Sequence, residues 1–219
     1  LNKLNINYNL KNYLKPNKIN KIIKFMKSDK KNRNKNIKRN YTYKDIILSG
    51  NNLVKKPFSH VNIDLSGIAK GYAVDLVYNY LLSKNISNFV INVGGEIKTY
   101  SRYEDAIAIA IDDPTNNQQY IEEVLLNNNS IATSGTYIDT VNFEGLEISH
   151  ITNPKTLQNV SNLNILVSVI HKECAIADGL ATGLIAMNPK KIINFSNSNG
   201  IASMLTVVKN GKLEKSYST

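Results

Sequence analysis

A few short stretches of this 219-residue chain hold residues whose types and spacing suit phosphate and metal chemistry. The densest is Asp64-Leu65-Ser66-Gly67-Ile68-Ala69-Lys70-Gly71-Tyr72-Ala73-Val74-Asp75. A carboxylate there closes a short strand, small residues allow close backbone approach, and Lys70 falls in the first turn of a predicted helix. Helix N-termini offer free N–H groups to anions, and a lysine adds a full positive charge. The same residues also suit an ordinary cap and packing face, Asp64 and Ser66 capping while Gly67 and Gly71 pack closely. Spacing alone leaves both readings open.

Asp178 and Thr182 stand four apart in a second predicted helix, so their oxygens share a face. A carboxylate with a hydroxyl suits a hard cation such as Mg²⁺, which takes oxygen ligands and leaves positions for phosphate and water. Their neighbours are small and apolar (Ala175-Ile176-Ala177, then Gly179-Leu180-Ala181), which argues against a solvated face for the acid. Gly94-Gly95, after an apolar run, is a candidate phosphate nest or a plain turn. Thr133-Ser134-Gly135-Thr136-Tyr137 is hydroxyl-rich and equally compatible with a turn. His150 closes a strand ahead of Asn153-Pro154, while His60 and His171 lack acidic or nucleophilic company and read as surface residues.

These groups need elements to hold them. Val61 to Ile63 alternates like a short strand, and Ile68, Tyr72, Leu76 and Tyr80 recur every four residues, with Ala73, Val77 and Leu81 alongside, in a helix that Ser66 can cap. Phe89 to Val93 reads as a buried strand. Further strands are expected at Ala106–Ile111, Ile121–Leu126, Glu147–Thr152 and Asn164–Ile170. Helices are expected over roughly Ala175 to Met187 and from Pro189. Met204 to Lys209 turning at Asn210-Gly211 reads as a hairpin, as do the runs flanking Ser49-Gly50-Asn51-Asn52. Ile19 to Met26 is a helix-like patch after Pro16. Helices mixed with antiparallel hairpins make the fold class α+β.

Composition narrows the rest. A single cysteine, Cys174, excludes an intrachain disulfide framework and a Cys-based zinc cluster. No apolar stretch approaches the ~20 residues that span a bilayer as a helix. The net charge of +10 is unevenly spread, because residues 1–60 hold 16 Lys/Arg against 2 Asp/Glu and residues 61–219 hold 11 against 15. The basic front is crowded with Asn, Ile and Tyr, residues that share A/T-rich codons with Lys. Without a groove-reading motif, it is read as base bias, and no specific nucleic-acid partner is expected.

In this order the segments resemble the ApbE family of FAD:protein FMN transferases. The family's run is close to D-L-G-G-I-A-K-G-Y-A-V-D, then N-x-G-G-D/E, T-S-G-x-Y, H-I-I-D-P-x-T-G and A-D-A-L-A-T. Here these read Asp64–Asp75, Asn92-Val93-Gly94-Gly95-Glu96, Thr133–Tyr137, His150–Thr156 and Ala177–Thr182. The resemblance implies an α+β, T-fold-related architecture of mixed and antiparallel sheets with packed helices. It also implies FAD in a cleft with Mg²⁺ against its pyrophosphate, and transfer of the FMN half to a Ser or Thr hydroxyl of a target flavoprotein with release of AMP. By resemblance Asp64 and Lys70 contact the flavin nucleotide, Gly94 and Gly95 belong with them, and Thr152 lies along the FAD. Gly67 offers a carbonyl to the metal, Asp178 and Thr182 bind it with Ala181 close by, and His150 is the proton acceptor.

Residues 1–40 are read as a remnant of the family's upstream segment and 41–219 as the transferase domain. A chain opening at Leu1 is read as N-terminally incomplete. The family further implies membrane association through that upstream part and a place in the cell envelope, on the periplasmic side of the inner membrane. Two positions depart from the pattern: Asn153 stands where the family has Asp, and Leu157 where it has Gly. Hydrolysis of FAD to FMN and AMP would use the same residues, and a flavin-binding scaffold without turnover is the reading from a different class.

Overall fold

Alternation at every second residue builds the centre of the molecule. In the computed structural model, the strand Ile165–His171 turns Ile165, Val167 and Val169 to one apolar cluster and Leu166 and Ile170 to another. The structure describes residues 43–49, 53–59, 61–113, 116–136, 141–143, 146–149, 151–153, 158–160, 165–210 and 212–219. The chain divides into two units, Leu1–Ile63 and Asp64–Thr219. In the first unit, a 3-10 turn at Tyr43–Asp45 precedes an antiparallel hairpin of β1 (Ile47–Ser49) and β2 (Leu53–Lys55).

The second unit opens with helix α1 (Ser66–Ser83), followed by β3 (Phe89–Val93), β4 (Glu96–Tyr100), β5 (Ile107–Asp113), β6 (Asn116–Leu126) and β7 (Ser130–Gly135). Short strands follow: β8 (Val141–Phe143), β9 (Leu146–Ile148), β10 (Thr152–Asn153) and β11 (Gln158–Asn159). The chain closes with β12 (Ile165–His171), α2 (Cys174–Ile185), α3 (Pro189–Ser198), β13 (Ala202–Lys209) and β14 (Lys212–Tyr217). Six strands form one antiparallel sheet in the order β14-β13-β12-β7-β4-β3. The pairs β5–β6, β8–β9 and β10–β11 stand as separate hairpins.

One face of the sheet carries the helices. Ala177, Ala181, Leu184 and Ile185 of α2 and Ile192 of α3 close over Ala132, Val167, Val169 and Leu205. The other face carries the β5–β6 hairpin, with Ile109, Ile111 and Leu126 packed on Ile131, Leu166 and Met204. Val74 of α1 meets Ile91 and Cys174 in a third, smaller cluster. The α+β class with antiparallel sheets is thus what the chain adopts.

Several local expectations are corrected. The stripe Ile68, Tyr72, Leu76 and Tyr80 points outward, 41–61% exposed, and α1 buries Gly71 and Val74 instead. Both faces of α1 are apolar, so periodicity could not choose between them. Phe89–Val93 is an edge strand, half-exposed, with Ile91 its one buried residue. Residues 61–63 form no strand, and the expected strand Glu147–Thr152 is divided between β9 and β10. Ser66 is the first helical residue of α1 rather than its cap; Asp64 Oδ1 accepts the Ser66 N–H at 2.9 Å. Ile19–Met26 lies outside the described residues.

Candidate functional site

A cleft of about 890 Å³ opens where the start of α1, the end of β7 and the cleft side of α2 converge. That volume suits a large cofactor or nucleotide. From α1 and its approach come Asp64, Ser66, Gly67 and Lys70; from β7 come Thr133, Ser134 and Gly135; from α2 come Asp178, Thr182 and Gly183. Thr152 and Asn153 of β10 also line it, as do Asn188 and Lys191 at the start of α3.

Two residues on α2 do the polar work because the helix turns them away from its apolar side. Asp178 is 3% exposed and accepts the Gly71 N–H at 2.9 Å through Oδ2. Thr182 Oγ1 donates to the Gly67 carbonyl oxygen at 3.5 Å and lies 3.4 Å from Ser134 Oγ. Both contacts sit at the long limit of hydrogen bonding. Burial raises the Asp178 pKa, against the pull of the Gly71 amide and the Lys70 ammonium.

Glu96, the first residue of β4, reaches the same cleft. It is 2% exposed, its Oε1 pairs with Lys70 Nζ at 2.9 Å, and its Oε2 is buried without a hydrogen-bond partner among the described residues. Burial raises its pKa as well; Lys70 lowers it and the charge of Asp178 raises it further. The turn just before it explains this placement. Gly94 and Gly95 have φ of +63° and +101°, as a two-residue hairpin with two left-handed positions requires, and Asn92 Oδ1 accepts the Gly95 N–H at 3.0 Å.

Not all expected residues gather at the cleft. Asp64, Gly67, Lys70, Thr152, Asp178 and Thr182 line it together. Gly94 and Gly95 make the β3–β4 turn beside it: a Cβ at Gly94 would lie 3.8 Å from Lys70 Cδ, and the Gly95 amide is bonded within the turn. Ala181 is fully buried in the helix-side core, where its methyl packs and no side-chain oxygen exists. His150 and Tyr137 lie outside the described residues. Glu96, Ser134 and Lys191 went unassigned in the sequence. For Glu96 a signal existed, since a carboxylate straight after a Gly-Gly hairpin turn starts the returning strand.

The donor set can be weighed for a cation. Among the described residues no three His, Cys, Asp or Glu side chains cluster as a metal site. A carboxylate, a hydroxyl and a main-chain carbonyl are nevertheless all hard oxygens, of the kind Mg²⁺ takes at 2.0–2.1 Å, which sets neighbouring donors roughly 3 Å apart. The 3.5 Å separation of Thr182 Oγ1 from the Gly67 oxygen is close to that. Cleft charge points the same way: Asp64, Glu96 and Asp178 outnumber Lys70 and Lys191, so a polyphosphate entering it meets excess negative charge. These residues fit a divalent cation.

A model of the ApbE family matches residues 16–205. The chain belongs to the ApbE family. It is 36% identical over 177 residues to the FAD:protein FMN transferase of Vibrio cholerae, covering 80% of this chain and 52% of that protein. It is 32% identical over 170 residues to the enzyme of that name from Haemophilus influenzae, covering 75% and 49%. Among solved structures, it superposes on the ApbE protein of Thermotoga maritima with a TM-score of 0.69 at 26% identity, covering 81% of this chain and 58% of that one. For the apo flavinyl transferase ApbE of Pseudomonas stutzeri the TM-score is 0.68 at 27% identity, covering 80% and 55%. The chain spans about half the length of the curated relatives it matches.

Against the ApbE pattern, Asn153 now has a structural account. Its Nδ2 donates to the carbonyl of Ala186, the residue that ends α2, at 3.0 Å. An ionised Asp accepts only and cannot make that bond. Asn153 thus ties β10 to the end of α2 by a bond that an ionised carboxylate at this position could not make.

Proposed function

We propose that the protein transfers the FMN half of FAD to a Ser or Thr hydroxyl of a target protein, releasing AMP, with Mg²⁺ required. The observation that carries this is the convergence on one nucleotide-sized cleft of Gly67 and Lys70 from one helix with Asp178 and Thr182 from another, residues over a hundred positions apart in sequence. The names of the relatives, FAD:protein FMN transferase, support the same reading.

In this reaction the acceptor hydroxyl oxygen bonds to the flavin-side phosphorus as the bond from that phosphorus to the bridging oxygen breaks. AMP leaves with the bridging oxygen, and the hydroxyl proton passes to a base, the role proposed for His150. Lys70 bears on the pyrophosphate oxygens, whose negative charge grows during the displacement. Asp178, Thr182 and the Gly67 carbonyl would hold Mg²⁺, which when bound supplies further electrostatic stabilisation of that charge. Asp64 and Thr152 flank the nucleotide. Location on the periplasmic side of an inner membrane, and membrane association, are part of this proposal and rest on family resemblance alone.

The test is incubation with FAD, Mg²⁺ and an acceptor protein, read as covalent flavin fluorescence on a denaturing gel. Asp178→Ala should abolish the Mg²⁺-dependent signal while the circular dichroism spectrum stays that of the parent. Full activity of this variant at limiting Mg²⁺ would exclude the metal role of Asp178. Release of FMN and AMP without a labelled protein would replace transfer by hydrolysis.

A further inference from the structure

Helices α1 and α2 meet with matched spacing. On α1, Gly67, Gly71 and Asp75 stand four residues apart; on α2, Thr182, Asp178 and Cys174 do so in the opposite direction. Each residue contacts its counterpart, so the two helices are in step at three successive turns. At the cleft, Thr182 Oγ1 lies 3.5 Å from the Gly67 oxygen. One turn away, the Gly71 N–H donates to Asp178 at 2.9 Å. At the third level, Asp75 Oδ1 accepts the Cys174 N–H at 3.1 Å and Asp75 Oδ2 accepts the Ala175 N–H at 2.9 Å.

The last level is braced from β4 by an ammonium. Helix α2 begins without a cap of its own, since the Glu173 side chain makes no capping bond. Asp75 serves instead, from the neighbouring helix, where its charge also suits the positive end of the α2 dipole. Lys98 of β4, 6% exposed, donates to Asp75 Oδ1 at 2.6 Å and to the Lys172 carbonyl at 2.8 Å. Its ammonium stands 4.3 Å from the centre of the Tyr78 ring. One carboxylate thus joins α1, the start of α2 and β4, one helical turn beyond Asp178 and two beyond Thr182. A slip of α2 by one residue, about 1.5 Å, would pull both amides off Asp75 and separate Thr182 from Gly67 in the same movement.

We propose that Asp75, braced by Lys98, is a positioning residue for the cation site: it fixes the register of α1 against α2 and so the spacing of the Gly67 carbonyl, Asp178 and Thr182. This inference rests on the metal reading above. Its test uses Mn²⁺ as the probe, with binding to the full chain followed by electron paramagnetic resonance and no turnover required. Two variants are compared, Asp75→Asn and the double variant Asp75→Asn/Lys98→Met, which leaves no buried ammonium unpaired. Each should bind Mn²⁺ about tenfold more weakly than the parent, the scale on which supporting residues around a metal act. Leu126→Ala, a cavity in the hairpin-side core, should lose melting temperature yet keep parental Mn²⁺ affinity. Parental affinity in both Asp75 variants overturns the proposal, as does an equal loss in Leu126→Ala. If neither Asp75 variant folds, the pair is a folding determinant and the positioning role is likewise overturned. A parent chain that binds no Mn²⁺ overturns the metal reading itself, an outcome distinct from the others.

Discussion

Glu96 holds one oxygen against Lys70, and its other oxygen is buried with no hydrogen-bond partner among the described residues. Burial lifts its pKa above the ordinary 4.5, so the folded chain holds the proton more tightly than the unfolded one. The resulting stability is fully present below that ordinary value and is lost as pH rises through the folded-state pKa. Glu96→Gln removes this titration. The melting temperature of that variant minus that of the parent, measured in EDTA, should become more positive from about pH 4 to about pH 8. A difference that stays flat or falls would mean Lys70 fully compensates the buried charge. His150 carries the second prediction at this scale. His150→Ala should reduce flavin transfer far more than FAD affinity, because a base acts chiefly in the transition state. Equal losses would make it a nucleotide-holding residue.

Elements decide how these groups reach one another, and α1 against α2 is the tightest junction. A Cβ at Gly71 would lie 2.3 Å from the Cys174 carbonyl oxygen, a backbone atom that cannot swing aside. Gly71→Ala should therefore destabilise by about 3 kcal/mol or more in denaturant titration. Gly183 sits in α2 with nothing within 4 Å of such a Cβ. Gly183→Ala should stabilise by roughly 0.5–1 kcal/mol, since alanine is the better helix former. If the two substitutions had similar effects, the close approach would not be the reason for glycine at 71. The sequence made this junction only partly legible. Asp178 and Thr182 could be paired from their spacing, and Gly67 and Gly71 could be read as packing positions. Their partners across the helices could not, because the matching involves no local pattern. Gly94-Gly95 was legible as a turn, and the pairing of Val93 with Glu96 makes it the turn of the β3–β4 hairpin.

Charge is the property that belongs to the whole molecule. Lys and Arg dominate residues 1–60, whereas residues 61–219 carry more acid than base. Binding to DNA should accordingly be weak, indifferent to sequence and lost steeply with salt. Tight, sequence-selective binding at physiological salt would contradict this. The fold class was readable because hairpin turns and mixed periodicities survive in the local sequence. The sheet order was not, since β12 pairs with β7 across a long insertion of short strands. Nor was the outward side of α1, whose apolar stripe looks like core in any helical projection.

The central sheet keeps two cores apart, and only one of them has the cleft at its edge. Helix α2 places Ala177 and Ala181 in the helix-side core and Asp178 and Thr182 in the cleft, so a substitution that reshapes that core also shifts the chemistry. Among the described residues none of β5 or β6 lines the cleft, and the apolar side chains of the hairpin pack on the opposite face. A substitution in that hairpin therefore acts on the cleft only through stability, whereas one along α2 acts on both the core and the cleft lining. Laboratory evolution should find the hairpin the more permissive place for insertions and affinity tags, and the helix side the place where improved and ruined catalysts both arise.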